Sequence, residues 1–162
     1  MITGIAHTAV CVPDVDAATA WYAEVLGMEV LSPPYTMTGP EIDRDMGQLL
    51  PRPVAVRAAI VGRGTGDRVL ELLEYPNLSD PSRVPSSPDV GRLGLTHVGL
   101  LCDDVAATRS ELEALGVHFV TDEVAEVAGL RTTWFADPWG VLFILIEKGD
   151  GAQPYWRQPL AG

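Results

Sequence analysis

Two histidines and one glutamate are the residues of this chain whose types and spacing could do chemistry. His7 and His97 lie at the same place in two similar segments. Glu71 is embedded in the apolar stretch 69–73, where an unpaired carboxylate would be costly unless a metal ion or a protonated histidine relieved it. A histidine repeated in this way implies a pseudo-symmetric site where the two copies meet. The function of the chain is therefore expected at these positions.

The two similar segments each predict a strand, a helix and a closing strand. The opening strands are 5–12 and 94–100, and each leads into an aspartate that suits a helix N-cap, Asp14 in the first copy and Asp103 or Asp104 in the second. Apolar residues at helical spacing follow, and Gly27 or Gly116 ends the helix. The closing strands are 68–75 and 141–146. Each copy therefore reads as one structural module.

Further strands are predicted at 28–31, 54–61, 117–120 and 131–136, and Asp137-Pro138-Trp139-Gly140 is typical of a turn. The stretch 32–53 is rich in proline and glycine and contains Glu41. It is too long for a hairpin turn, so we expect a loop that serves either as a lid or binding loop or as a solvated acidic surface.

Two β-α-β-β-β modules, each too small to cover its own sheet, would bury their open faces by pairing. The predicted fold class is α+β, with paired curved mixed sheets around a cleft. We expect a single domain over residues 1–162, made of module one (4–75), a linker (76–93), module two (94–148) and a tail (149–162).

The composition favours a small-molecule partner. With 22 acidic and 11 basic residues the net charge is -11, which would repel nucleic acid and anionic membrane surfaces. The sequence has neither a signal-peptide pattern nor an apolar run near 18 residues, so we expect a cytoplasmic protein. Cys11 and Cys102 lie in apolar strands and are expected to be buried free thiols.

The opening strand with a histidine in each half, the Leu70-Glu71-Leu72 strand and the 137–140 turn together resemble the vicinal oxygen chelate superfamily. This superfamily includes glyoxalase I, methylmalonyl-CoA epimerase, extradiol dioxygenases and the bleomycin and fosfomycin resistance proteins. The resemblance covers residues 4–148. In the metal-dependent members, four strand positions, two per module, converge on one divalent ion. The resemblance implies that His7, Glu71 and His97 occupy three of them.

The fourth ligand position departs from the family pattern. Counted from the turn at 137–140 it falls on Ile144, and the internal repeat also places Ile144 opposite Glu71 and Glu147 opposite Glu74. Residues three apart in a strand face opposite sides, so Glu147 is expected to point away from the site. We expect Glu74 and Glu147 to be solvent-facing strand ends. His118 has no repeat counterpart and is expected at the surface, and Trp134 is expected to pack.

Two imidazoles and one carboxylate leave open metal positions, as in non-haem Fe(II) oxygenases. The favoured function is therefore a metal-dependent oxygenase acting on a small oxygenated chelating substrate, aromatic or not. One divalent ion is expected, Fe2+ first and Mn2+, Ni2+, Co2+ or Zn2+ as alternatives. A glyoxalase- or epimerase-like isomerase or lyase, with Glu71 or Glu41 as base, is the first alternative. The second is a metal-free small-molecule (antibiotic) binding protein, in which the three residues merely pack. The resemblance also implies a homodimer.

Overall fold

The computed structural model describes residues 1–64, 66, 68–78, 90–91, 93–148 and 154. The chain divides into two compact units, Met1–Arg83 and Val84–Gly162. The first unit contains the residues of module one and the second contains those of module two. Most of the predicted linker and tail lies outside the described residues.

The first unit is a four-stranded mixed sheet with two helices. Strand β1 pairs in parallel with β4, and the remaining pairs are antiparallel, in the order β1-β4-β3-β2. The elements are β1 (His7–Cys11), α1 (Val15–Glu24), β2 (Glu29–Thr38), α2 (Pro40–Met46), β3 (Ala55–Gly62) and β4 (Val69–Glu74).

The second unit repeats this topology with one helix, in the sheet order β5-β8-β7-β6. Its first and last strands are again the parallel pair. The elements are β5 (Val98–Cys102), α3 (Val105–Ala114), β6 (Ala125–Val127), β7 (Leu130–Ala136) and β8 (Leu142–Glu147). The repeat, the α+β class and the mixed sheets predicted from sequence are confirmed. No helix in the described part of the chain has the length and apolarity that a membrane span requires.

Helices α1 and α3 begin at the aspartates that the repeat predicts. The Asp14 side chain accepts the backbone N–H groups of Asp16 and Ala17. The Asp104 side chain accepts the backbone N–H groups of Ala107 and Ala106 at 3.0 and 2.9 Å. These hydrogen bonds lower the pKa of its carboxyl group, and the bond from Ala107 has the larger effect. The N-cap carboxylate satisfies donors that the first helical turn cannot pair internally.

The central strands have one face toward their helix. In β4, Leu70 and Leu72 are buried, and Glu74 on the same face accepts the backbone N–H of Val15 at the start of α1. Val69, Glu71 and Leu73 alternate onto the opposite face. We call this face, which is turned away from α1, the site face of the first unit. The face of the second sheet that is turned away from α3 is the site face of the second unit.

The prediction of a loop at 32–53 is wrong for most of this stretch, which forms a strand and a helix instead. Strand β2 continues to Thr38 through Pro33 and Pro34, with irregular pairing between Val30 and Tyr35, and helix α2 follows. Proline lacks an N–H donor, yet β2 is an edge strand that needs partners on one side only, so it tolerates both prolines. Pro40 occupies the helix start, where a missing N–H costs nothing.

The predicted strand at 117–120 is also wrong. Phe119 there forms an isolated bridge with Phe135, and the edge of the second sheet is β6 instead. Strands β6 and β7 are joined by Ala128 and Gly129, both with positive φ (52° and 74°). Such a two-residue turn matches the twist of a hairpin. The turn at 137–140 is confirmed, since the backbone N–H of Gly140 donates to the backbone carbonyl oxygen of Asp137 at 3.1 Å.

Candidate functional site

The first unit brings His7 and Glu71 together on its site face. The pairing of β1 with β4 places His7 beside Val69 and Ala9 beside Glu71, so alternate residues of the two strands share this face. The Nε2 atom of His7 lies 3.3 Å from Oε2 of Glu71. The His7 side chain is 49% exposed and that of Glu71 is 20% exposed. The predicted histidine and carboxylate are therefore adjacent and open to a ligand.

Two further ionisable groups lie near this pair. Burial raises the pKa of Tyr75, and the electrostatic influence of Cys11 and Glu71 raises it further, so the phenol stays protonated at neutral pH. Partial desolvation also raises the pKa of the Cys11 thiol, although the residue is exposed. Tyr75 follows β4 at the alternation 71, 73, 75, which is the sequence signal that could have identified it.

The two cysteines are free, as predicted, but their expected burial is wrong. Cys11 is exposed, and Cys102 is only half-buried. They also occupy different faces, because Cys11 pairs with Leu73 whereas Cys102 pairs with Glu147 on the face toward α3. The repeat counterpart of Cys11 is Leu101.

The second unit surrounds its histidine differently. His97 lies just before β5, and its Nδ1 atom is 2.8 Å from Oγ1 of Thr96. The imidazole meets the Trp134 ring edge-on, with 4.7 Å between ring centroids and 70° between planes. Trp134 therefore packs, as predicted, and the group that it packs against is the candidate histidine. The Thr96 contact was missed from sequence, because neighbouring residues of a strand normally point to opposite faces.

Ile144 occupies the site face of the second unit at the position equivalent to Glu71. It pairs with Gly99 on one side and with Trp134 on the other. A Cβ added at Gly99 would lie 3.8 Å from Cγ2 of Ile144 and 3.7 Å from Cδ1 of Ile146, so both isoleucines line the same face as Gly99. The predicted register of the last strand is confirmed, and Glu147 points to the opposite face.

Glu74 and Glu147 are not solvent-facing ends of strands, and that prediction is wrong. Glu147 accepts the backbone N–H of Val105 at 2.9 Å, as Glu74 accepts that of Val15 at 3.0 Å. Their side chains are 22% and 14% exposed. Each carboxylate lies at the positive end of its helix, where a negative charge is stabilising. Both glutamates therefore support the helices.

Glu41 and His118 lie apart from these contacts. Glu41 is on α2, its side chain is 85% exposed, and its ion pair is with Arg44 at 2.9 Å. It shares no ion pair with His7. His118 is exposed, in agreement with the sequence prediction.

The donor chemistry of His7 and Glu71 suits a divalent first-row ion, which accepts imidazole nitrogen and carboxylate oxygen. The 3.3 Å separation of the two atoms allows both to bind one ion. Among the described residues, no group of three histidine, cysteine, aspartate or glutamate side chains is arranged to hold a metal. The His7–Glu71 pair is thus a two-donor arrangement.

The doubled module with its histidine and glutamate defines a vicinal oxygen chelate fold. A family model for the Glyoxalase/Bleomycin resistance protein/Dioxygenase superfamily matches residues 4–145, and the chain belongs to this superfamily. A 2-epi-5-epi-valiolone epimerase from Actinomyces sp. is 31% identical to it, over 94% of this chain and 82% of that protein.

Solved structures share the fold. A glyoxalase family protein from Bacillus cereus superposes with a TM-score of 0.72 at 21% identity, covering 91% of this chain and 95% of that one. Glyoxalase I from Zea mays gives 0.64 at 22% identity, covering 93% of this chain and 47% of the maize protein. At this level of identity the likeness extends to the fold alone.

Proposed function

We propose that the chain is a metal-dependent isomerase that epimerises a ketone at a hydroxyl-bearing carbon next to the carbonyl. The single observation that carries this proposal is the His7–Glu71 pair, which places a carboxylate beside an imidazole on an open sheet face. The 31% identity to a 2-epi-5-epi-valiolone epimerase supports the choice of reaction and of substrate class. Such a ketone carries neighbouring oxygens that could chelate an ion.

The proposed ligands are His7, Glu71 and His97. The internal repeat supports the third, because His97 occupies in its own module the place that His7 occupies in the first. A divalent ion held there would polarise the substrate carbonyl and stabilise the negative charge of the enolate. Two imidazoles and one carboxylate would leave positions for both substrate oxygens.

Glu71 is the proposed base. Its carboxylate takes the proton from the carbon beside the carbonyl, and the electron pair of the broken C–H bond moves toward the carbonyl oxygen to give an enolate. A proton that returns to the opposite face of that carbon inverts it, so no oxidant or reductant is consumed. Glu41 stays the alternative to Glu71 as the base. Tyr75 is a further candidate, since its phenol is protonated and the charge of Glu71 acts on it.

Solvent-exchange experiments test this proposal. The protein, loaded in turn with Fe2+, Mn2+, Co2+, Ni2+ and Zn2+, is incubated in D2O with 2-epi-5-epi-valiolone and related hydroxyketones, and NMR follows inversion and deuterium uptake. Glu71→Gln should reduce exchange by about 100-fold or more, the usual contribution of a general base. Glu74→Gln is the matched control, because Glu74 lies on the same strand but on the helix face. Unreduced exchange in Glu71→Gln, or no exchange by wild type with any ion, contradicts the proposal.

An oxygenase is the second candidate, and one observation favours it. Ile144 lies on the site face where a fourth protein ligand would stand, so a three-ligand centre would keep vacant positions for a chelating substrate and O2. The superfamily description includes dioxygenases as well as glyoxalases. Oxygen uptake by the Fe2+-loaded protein with catechol-like substrates is the measurement. Uptake linked to ring cleavage, without deuterium exchange, would favour this function over the isomerase.

Three other sequence predictions remain to be tested. A metal-free binding protein would take up no divalent ion in calorimetric titrations yet would bind a small molecule. The homodimer would appear in light scattering as twice the 17.4 kDa mass of the chain. The cytoplasmic location can be checked by fractionating cells that produce the protein.

A further inference from the structure

The two histidines share a position in the repeat but not a set of neighbours. His7 turns its Nε2 atom toward the carboxylate of Glu71. His97 has no such carboxylate at the equivalent place, because Ile144 stands there. The residue before each histidine also differs, alanine at position 6 and threonine at position 96. The second module therefore needs another way to orient its imidazole.

Thr96 and Trp134 contact His97 at two different parts of the ring. The threonine Oγ1 lies 2.8 Å from Nδ1, within ordinary hydrogen-bond distance. Trp134 meets the imidazole edge-on, with centroids 4.7 Å apart, in the geometry that aromatic rings prefer over a face-to-face stack. The hydroxyl and the indole together restrict rotation of the imidazole and leave Nε2 as the nitrogen that Thr96 does not engage.

We propose that Thr96 is a positioning residue. Its hydroxyl oxygen accepts a hydrogen bond from the Nδ1–H group of His97 and thereby leaves Nε2 as a lone-pair donor for a divalent cation. A neutral imidazole carries one proton, so fixing it on Nδ1 makes Nε2 the ligating atom. The repeat supports this assignment, because Nε2 is also the nitrogen that His7 turns toward Glu71. Ligating histidines usually have such an outer partner on their second nitrogen.

The opposite arrangement has a distinct consequence. If the Thr96 hydroxyl donated its proton to Nδ1, the imidazole proton would lie on Nε2, and that atom could not ligate. The tautomer therefore decides the question. Its measurement is independent of turnover, although the role of the cation rests on the proposed function.

The test combines ¹⁵N NMR of the imidazole with metal titration of the full-length protein. Spectra are recorded without added metal, at a pH where the imidazoles are neutral, and Co2+ affinity is then measured by calorimetry. Thr96→Val should move the His97 nitrogen shifts toward a mixture of tautomers and weaken Co2+ binding by about 10- to 100-fold. Thr96→Ser keeps the hydroxyl and should restore both. Thr36→Val is the matched control, since Thr36 is an exposed threonine on β2.

Several results would overturn the proposal: a wild-type proton on Nε2 of His97, tautomer shifts that Thr96→Val leaves unchanged, or Co2+ affinity that it leaves unchanged. Failure of the proposed function gives a different pattern. If wild type binds Co2+ and responds to Thr96→Val as expected but does not epimerise hydroxyketones, the positioning role stands and the reaction assignment falls. If Thr96→Val shifts the tautomer but wild type binds no Co2+, the role toward a cation falls together with the metal-dependent function.

Discussion

Removal of the Glu74 carboxylate should destabilise the first unit without touching its site face. Oε2 of Glu74 accepts the Val15 N–H at 3.0 Å and an Arg57 N–H at 3.0 Å, and the side chain is 14% exposed. Glu74→Ala therefore leaves a donor in the first turn of α1 without its carboxylate. Arg57 keeps its second partner, Asp16, at 2.6 Å.

The magnitude follows from these contacts. A hydrogen bond to a charged group contributes about 1.5–3 kcal/mol, and a part-exposed ion pair adds about 0–1 kcal/mol. Since Arg57 retains Asp16, we expect Glu74→Ala to lower the free energy of unfolding by about 2–3 kcal/mol. Glu147→Ala should cost less, because Glu147 and its partner Arg131 are more exposed, at 22% and 44%.

Urea denaturation followed by circular dichroism measures these differences. Glu71→Gln is the comparison, and it should change the free energy of unfolding by less than about 0.5 kcal/mol, because the contact of Glu71 with His7 is half exposed. The reasoning would be refuted by a Glu74→Ala variant as stable as wild type. It would also be refuted if Glu71→Gln were as destabilising as Glu74→Ala.

Two further predictions concern the second unit. The pKa of Asp104 is lowered in the folded protein, so its contribution to stability is complete above the pKa of the unfolded chain and is lost as pH falls through the lower, folded value. The stability difference between wild type and Asp104→Ala, measured by urea denaturation across acidic pH, should therefore shrink toward low pH; a constant difference would contradict this. Ile144→Glu places a carboxylate on the site face of the second unit and should tighten Co2+ binding by about tenfold or more, about 1.4 kcal/mol, in calorimetry, whereas Ile144→Gln should not. Equal affinities in both variants would exclude this position from the cation site.

The strands that could be predicted from sequence are the central strands of each sheet and the two opening strands, β1 and β5, which lie at an edge but are marked by the internal repeat. Strands β4 and β8 are paired on both sides, and their buried apolar residues, which alternate in β4 and are nearly continuous in β8, give a strong apolar signal. Strands β2 and β6 lie at the edges, and β6 is exposed along its whole length. Edge strands bury little, so their sequences need not be apolar, and β2 and β6 also lack the histidine-bearing repeat that marks β1 and β5. The extent of β2 and the existence of β6 were missed for these two reasons.

In the candidate site, the residues that have a counterpart in the repeat could be predicted from sequence. The repeat pointed to His7 and His97 and gave Ile144 as the counterpart of Glu71, whereas Glu71 itself was predicted from the family resemblance and its apolar strand. The repeat could not identify side-chain contacts that are made in only one of the two modules. The contact of Thr96 with His97 has no equivalent in the first module, where residue 6 is alanine, and so the repeat carried no signal for it.

The two modules resemble each other more on their helix faces than on their site faces. The residues that support the fold can therefore be distinguished from those expected to bind a ligand. On the helix faces the two modules use the same residue types for the same contacts: Asp14 and Asp104 as caps, Glu74 and Glu147 as acceptors, and Arg57 and Arg131 as their ion-pair partners. On the site faces the two histidines are shared, but other equivalent positions differ: Glu71 against Ile144, and Cys11 against Leu101. Folding demands the same helix support from both modules, whereas a site that binds one unsymmetrical substrate does not. Substitutions on the helix faces should therefore act on stability in both modules, whereas those on the site faces should act on binding and turnover.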